Sequence, residues 1–559
     1  MWGMTTQTGP PQIEYRTYQI GVAYPVLDLL KRLGIADIID SVLKYQPEIG
    51  ASYGTLALVI IINRLSFDPQ PLYALGAWAQ RHGIDRLLGI DAAWLDDDRL
   101  GALMEALAKH AAQIWLKVIG RAVQHFAIVV EWLHADTTSV YFEGTYADEH
   151  GQPIQEPHAP CLVQGYNKDG KPHNVQFVLS LITSRRVPLW YKPWDGNQSD
   201  DGVYLADLNG LRQAGLALDN TVLVFDRKGC NRETMLELCR THQLFLGAHP
   251  WTDTAKASWE QTWQELQAGI RGWTAVDYVA RNNQRKPSAD RPQYRVCEVS
   301  HELKDGTHDR RYTLRWVFSW NSSKADLDAR QRQKDLDAGE QALQRIARLL
   351  GKYDYTSRAT IENRLTKVLT KAHAASYYRY TLSGSTDKGD WTLEWSTNPD
   401  AIAQAERFDG VVLICTNVPV ARLTSGDVMK KYKEQVNVEQ TIGFIKNPVQ
   451  VRPMWLHSPQ RLAGLTVLIM LAVLVASLIE HHVRQEIAKN KQLLKGLMPE
   501  NRDNPYPTAA KLLKAFQDYT MIVVRHADGH EDVHYPKLRP VQQQILNMLG
   551  LLPLPPNPG

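Results

Sequence analysis

The chain has 559 residues, 44% of them hydrophobic and 22% charged, with a formal net charge of +3. At roughly 150 residues per domain, that length predicts three or four domains. The composition excludes general disorder, and so weak a positive charge neither requires nor forbids a nucleic-acid partner.

The stretch MWGMTTQTGPPQIEYR, residues 1–16, lacks the basic-then-apolar order of a signal peptide. Residues 20–118 carry apolar side chains at three- and four-residue returns, punctuated by Gly and Pro, and predict a helical N-terminal domain (1–118). The texture changes near residue 126. FAIVVEWLHAD predicts a strand, with Asp136 just after it. TSVYFEG and NVQFVLSLIT predict two more, and GYNKDGKPH between them has turn chemistry. DDGVYLADLNGLRQAGL predicts a helix and NTVLVFD a buried strand that ends at Asp226. NRETMLELCRTHQ then predicts a helix opened by Asn231. Antiparallel strands feeding a strand–helix–strand unit predict a mixed α/β sheet over 119–239.

From 240 to 404, YRVCEVSHEL, RRYTLRWVFSW, YYRYTLSG and DWTLEWST predict an antiparallel sheet. The charged helix KADLDARQRQKDLDAGEQALQRIARLLGK lies among them, so the segment reads as a β-rich insertion. FDGVVLICTN restores the buried-strand pattern and opens a further core segment, 405–485. Within it, Leu462–Ile479 is 18 residues without a charge, at the lower limit for a membrane span. Its Gly464, Thr466 and Ser477 favour a buried core helix. The C-terminal tail, 486–559, predicts a helix around AAKLLKAFQDY and a hairpin around Asp528-Gly529. PLPPNPG predicts a loose terminus. The cysteines at 161, 230, 239, 297 and 415 form no C-x-x-C pair and predict reduced thiols.

Two Asp residues at strand ends can share a crevice and hold Mg²⁺ through oxygen ligands. A strand-ending Asp is also an ordinary turn or cap residue. The stretch KYKEQVNVEQTIGFIK, Lys431–Lys446, poses a related choice. At about 100° per residue, Tyr432, Gln435, Glu439 and Lys446 fall within an arc of about 60°. Val438, Ile442 and Ile445 form the adjacent apolar stripe. Glu439 is then either a carboxylate aimed at a sheet end or part of a solvated face.

The spacing Tyr432-x2-Gln435-x3-Glu439-x6-Lys446 resembles the Tyr-x2-Arg-x3-Glu-x6-Lys signature of bacterial insertion-sequence transposases of the DDE class. LHADTTSVYFEG, GYNKDGKPH with NVQFVLSLIT, PLWYKPWDGNQSDDGVY and VFDRKGCNRETM resemble successive blocks of the same family. FDGVVLICTN and VRPMWLHSPQRLAGLTVLIMLAVLVASLIE resemble its last strand and closing helix. The resemblance covers roughly 120 to 485. It implies an RNase H-like core and cut-and-paste DNA transposition. Asp136, Asp226 and Glu439 become a triad for Mg²⁺ (or Mn²⁺), with two ions. Tyr432, Gln435 and Lys446 become contacts to transposon-end phosphates, joined by Lys431, Lys433 and Arg452. The implied partners are double-stranded terminal repeats, target DNA and a second copy of the chain, in a bacterial cytoplasm and not at a membrane. Gln435 departs from the signature's Arg and cannot supply a charged fork. Two other readings stay open: a nuclease that does not join strands, and an inactive transposase-derived DNA-binding protein.

Secondary candidates have plainer readings. His526, Asp528, His530 and His534 straddle a turn without a closed zinc spacing. His134 shares a strand face with Asp136. Trp316, Trp320, Trp391 and Trp395 are able to stack on bases, but ordinary sheet packing accounts for them.

Overall fold

The apolar stretch that set the membrane question is the central helix of one of two compact units. The computed structural model describes residues 14–44, 50–200, 202–284, 286–385, 389–446, 456–498 and 502–551. The first unit comprises Met1–Val224 and Gln435–Gly559, and the second Phe225–Glu434. Together their elements give a mixed α/β architecture.

The first unit opens with strand β1 (Glu14–Tyr18) and six helices: α1 (Ala23–Arg32), α2 (Ile35–Leu43), α3 (Tyr53–Leu65), α4 (Leu75–His82), α5 (Ile84–Leu88) and α6 (Asp97–His125). Then come β2 (Trp132–Phe142), β3 (Val175–Ser184), β4 (Val187–Trp194), α7 (Val203–Gln213) and β5 (Val222–Phe225), whose last residue begins the second unit. The second unit continues with α8 (Arg232–Arg240), β6 (Leu244–Ala248), α9 (Asp253–Gln267), β7 (Thr274–Val276), β8 (Tyr294–Asp305), β9 (Arg310–Asn321) and α10 (Ser322–Leu349). It ends with α11 (Arg358–Lys371), β10 (Tyr378–Ser383), β11 (Thr392–Thr397), α12 (Pro399–Glu406), β12 (Val411–Thr416) and α13 (Ser425–Lys433). The chain returns to the first unit with α14 (Val436–Lys446), α15 (Pro459–Asn490), α16 (Ala509–Lys514), β13 (Met521–Arg525), β14 (Glu531–His534) and α17 (Pro540–Met548).

Helix α15 runs well past the predicted 462–479. Ser458 caps it by accepting from the Arg461 N–H, and Pro459 occupies its first turn. By length and composition it is the one helix among the described residues able to cross a membrane, yet 94% of its apolar window is buried inside the protein. It packs on α6, α3 and β4. A Cβ at Gly464 would stand 1.9 Å from the Met104 carbonyl oxygen, so α15 and α6 meet backbone to backbone there. The predicted core helix is therefore found.

The strand order in the first unit is β4-β3-β2-β5. β2 pairs antiparallel with β3, and β3 with β4. β2 runs parallel to β5, Trp132–His134 against Val222–Val224. One expectation is corrected here. Asp136 does not follow a strand: it lies inside the single strand β2, opposite Leu181. Residues 126–131 form no strand, because Ala127 turns the chain at φ 46° on leaving α6. The hairpin between β3 and β4 was not foreseen. Its turn residues Arg185 and Arg186 sit at φ 47° and 75°, where Asn or Gly is the usual signal. The Asp528-Gly529 hairpin is present, β13 pairing antiparallel with β14. β13 also pairs with β1, which joins the two ends of the described chain.

In the second unit the order is β6-β12-β9-β8-β7. The strands predicted as one insertion sheet are thus divided. β8 and β9 extend the sheet of β6 and β12, whereas β10 and β11 form a separate two-stranded sheet. Leu343 of α10, together with Ile361, Leu365 and Leu369 of α11, packs against Tyr378, Leu382 and Trp391 in a small core of its own. The seven-residue spacing of Leu336, Leu343 and Leu350 serves this core.

Asp207 of α7 is buried, and its Oδ1 accepts a 3.0 Å hydrogen bond from Trp190 Nε1. Burial pushes its carboxyl up to about 6. A raised folded-state value favours the protonated form, so stability is lost as pH rises through that value. Asp207→Asn is expected to stabilise the protein by about 2 kcal/mol at about pH 8, with the gain vanishing by about pH 4. Thermal melts at both pH values check this; an equal gain at both would refute it.

Candidate active site

The loop between β2 and β3 contains the turn Asn167-Lys168-Asp169-Gly170. Asn167 Oδ1 accepts from the Asp169 and Lys171 N–H groups at 2.9 and 3.0 Å, and Gly170 takes φ 70°. This turn carries two charged side chains toward different elements. Lys168 Nζ donates to the Thr137 carbonyl at 2.8 Å and to Thr137 Oγ1 at 2.5 Å. It lies 4.0 Å from Asp136 Oδ1 and 3.5 Å from Asp200 Oδ2. Thr137 Oγ1 in turn donates to Asp200 Oδ1 at 2.6 Å. Asp169 receives Lys446 Nζ of α14 at 2.6 and 2.8 Å.

Two glycines allow this convergence. A Cβ at Gly165 would stand 2.1 Å from the Gly196 carbonyl oxygen, and one at Gly196 would stand 2.1 Å from that of Gln176. The segments bearing Lys168 and Asp200 thus pass with bare backbones in contact. Asp136 is partly buried, and its Oδ1 accepts from the Thr137 N–H at 2.7 Å. Asp200 is 7% exposed. Sequence reasoning singled out neither Lys168 nor Asp200. Both lie within blocks that carried the resemblance, but a role for them depends on how the loops fold back.

Gln435 is buried at the start of α14. Its Nε2 donates to the Ala135 carbonyl at 2.7 Å, and its Oε1 lies 3.3 Å from His134 Nδ1. The expectation of a phosphate contact is corrected: this amide fastens α14 to β2, one residue before Asp136. His134 is likewise buried and supports that joint. Glu439 stands exposed in the first turn of α14, where the helix N-terminus favours a carboxylate. Val438, Ile442 and Ile445 are buried as the stripe predicted.

The single helix arc is also corrected. α13 ends at Lys433, and the Glu434 N–H turns back to the Lys431 carbonyl at 3.1 Å. Tyr432 is therefore on α13 of the second unit, half-buried, while Glu439 and Lys446 are on α14 of the first. Lys431 pairs with Glu434 at 3.0 Å, and Lys433 is exposed. The start of α13 is fixed by Glu298, which accepts from Ser425 Oγ at 2.6 Å and is gripped by both ends of the Arg315 guanidinium. Burial raises the Glu298 carboxyl, but the Arg315 and Ser425 bonds outweigh it and hold it below its ordinary value. Arg452 and the PLPPNPG terminus lie outside the described residues.

Asp226 follows β5 directly. Its Oδ1 accepts from the Lys228 and Gly229 N–H groups at 3.2 and 3.3 Å, before Asn231 caps α8. It thus has the turn role expected of a strand-ending Asp. Among the described residues no three His, Cys, Asp or Glu side chains stand together as a ready metal cage. The carboxylates are nonetheless the hard oxygen donors that Mg²⁺ takes.

The secondary candidates resolve into packing. His526 and His530 both lie against Asp532, at 2.8 and 3.3 Å. Trp316 is buried and stacked on His301 at 3.7 Å. Trp391 and Trp395 donate to the Thr356 carbonyl and to Glu340, and the Arg295 guanidinium lies over Trp320. All five cysteines are free.

The class these observations define is a mixed α/β protein with a charged site on β2. Residues 19–119, which span α1 to α5 and most of α6, match the family described as a domain of unknown function, DUF4277. A search of curated proteins finds no match to the chain.

Proposed function

We propose that the chain is a DNA transposase of the DDE class, which cuts DNA at transposon ends and joins the freed 3′-OH to target DNA. One observation carries the reading. Four separate sequence blocks of the resemblance meet around Asp136: its own strand, Lys168 from GYNKDGKPH, Asp200 from the GNQSD block and Gln435 from the helical signature. Their meeting is what a shared site requires, and it supports the reading. DUF4277 is also found in transposase-like proteins.

In this reading Asp136, Asp226 and Glu439 hold two Mg²⁺ ions, or Mn²⁺ in their place. Bound, these ions would activate the attacking oxygen and offset charge on the leaving one. Tyr432, Lys431, Lys433 and Lys446 face DNA phosphates as donors and point charges. The partners are double-stranded terminal repeats, target DNA and a second copy of the chain, in a bacterial cytoplasm.

The test uses linear DNA carrying the borders of the protein's own gene, with Mg²⁺. The expected result is cleavage that leaves a 3′-OH, and transfer of a pre-cleaved end into a plasmid. Cleavage without joining would make the protein a nuclease. End binding without cleavage would make it an inactive descendant, and absence of binding would refute the reading.

A further inference from the structure

The turn Asn167–Gly170 places opposite charges on two groups of the proposed site. The Lys168 ammonium lies between Asp136 and Asp200. The Asp169 carboxylate lies on Lys446. A cation thus sits where Asp136 would meet Mg²⁺, and an anion sits where Lys446 would meet a phosphate. We infer that Lys168 and Asp169 are charge placeholders, which offset charge on Asp136 and Lys446 until metal and DNA displace them. This inference rests on the transposase reading, because it takes Asp136 as a metal ligand and Lys446 as a phosphate contact.

The physical argument concerns what each group does when its ligand is absent. Asp136 and Asp200 both face the Lys168 ammonium, and Asp200 is 7% exposed. Two carboxylates that face one ammonium, one of them buried, repel each other when that cation is removed. Lys168 supplies that cation from a turn only four residues long. Its contacts at 4.0 and 3.5 Å are ion pairs longer than direct hydrogen bonds, whereas its short bonds go to Thr137. The ammonium can therefore yield Asp136 to a stronger cation and keep Thr137. The Asp169–Lys446 pair is bidentate but partly exposed, with side chains 29% and 22% accessible. Solvent screens a partly exposed pair of this kind, so a DNA phosphate can compete for Lys446. One turn carries both groups, so displacement of one loosens the other.

Two measurements on the full-length protein test this, neither of them activity. Mn²⁺ binding is followed by electron paramagnetic resonance without DNA. Removing the placeholder charge in Lys168→Gln is expected to tighten Mn²⁺ about fivefold, whereas Lys168→Arg leaves it near wild type. Binding of gene-border DNA is followed by fluorescence anisotropy without metal. Asp169→Asn is expected to tighten it about fivefold, whereas Asp169→Glu does not. A purely structural role for either residue predicts unchanged or weaker binding, and that result overturns the inference. The underlying reading is tested separately by Asp136→Asn, which should weaken Mn²⁺, and Lys446→Ala, which should weaken DNA. If these two do nothing, the site assignment fails. If they act while Lys168→Gln and Asp169→Asn bring no gain, only the placeholder inference fails.

Discussion

Replacing Glu439 with Gln is expected to lower Mg²⁺-dependent end cleavage on the order of 10³-fold while leaving end binding unchanged. Glu439 is exposed in the first turn of α14, and its neighbours Val438, Thr441 and Ile442 do the burying. Gln keeps the shape and the helix propensity, so folding has no reason to change. What changes is a charged oxygen ligand becoming a neutral amide. A neighbouring carboxylate provides the control. Glu434 is paired with Lys431, and Glu434→Gln should leave cleavage within about twofold, as exposed pairs are weak. Rates are compared on labelled border DNA, with binding measured in parallel. Full cleavage by the Glu439→Gln protein would remove this residue from the triad. Cleavage lost together with the melting transition would point to folding instead.

The second large effect is on stability. Glu480 of α15 is buried, and its Oε1 lies 2.5 Å from Arg186 Nη1 and 2.6 Å from Arg484 Nη1. Its Oε2 accepts from the Ala509 N–H at 2.7 Å, which ties α15 to the start of α16. Glu480→Leu removes the one carboxylate that both guanidinium groups share and orphans a buried N–H. A loss of about 3–5 kcal/mol is expected, or a melting shift on the order of 10 °C. Arg186→Leu combined with Glu480→Leu should recover part of that loss, because a buried charge without its partner costs more than a missing pair. Chemical denaturation of the three proteins checks this. A single Glu480→Leu variant as stable as wild type would show the pair to be energetically idle.

What could be read from the sequence follows how local each signal is. The long apolar run, the N-terminal helices and the Asp528-Gly529 turn each depend on residues close in sequence, and each is found. β1 pairs with β13 across some 500 residues, and no local pattern announces such a partner. The β3–β4 hairpin stayed hidden because Arg185 and Arg186 take a backbone conformation that their side chains disfavour. The break between α13 and α14 has no Gly or Pro to mark it. α13 is fixed by Glu298 and Arg315, and α14 by Gln435 on β2, so tertiary bonds divide what periodicity joined. For the proposed site, Asp136, Asp226 and Glu439 could be named through the resemblance. Lys168, Asp169 and Asp200 could not be given roles, since their meaning lies in contacts between the turn Asn167–Gly170, the segment before α7, β2 and α14. Gln435 shows the opposite failure. A spacing rule assigned it to DNA, and the fold uses it internally.

The division of the chain has a consequence for how the protein is made. The second unit is one uninterrupted segment, Phe225–Glu434, whereas the first needs residues from both sides of it. During synthesis every residue of the second unit has left the ribosome before the first unit is complete. The first unit must wait: Gln435 has yet to reach Ala135, α15 has yet to cover α6, and β13 has yet to meet β1. Until α15 emerges, the apolar faces of α3 and α6 stay uncovered, the period when a nascent chain is most prone to aggregate. A chain cut short before residue 459 would carry every residue of the proposed triad yet never complete the core that holds two of them.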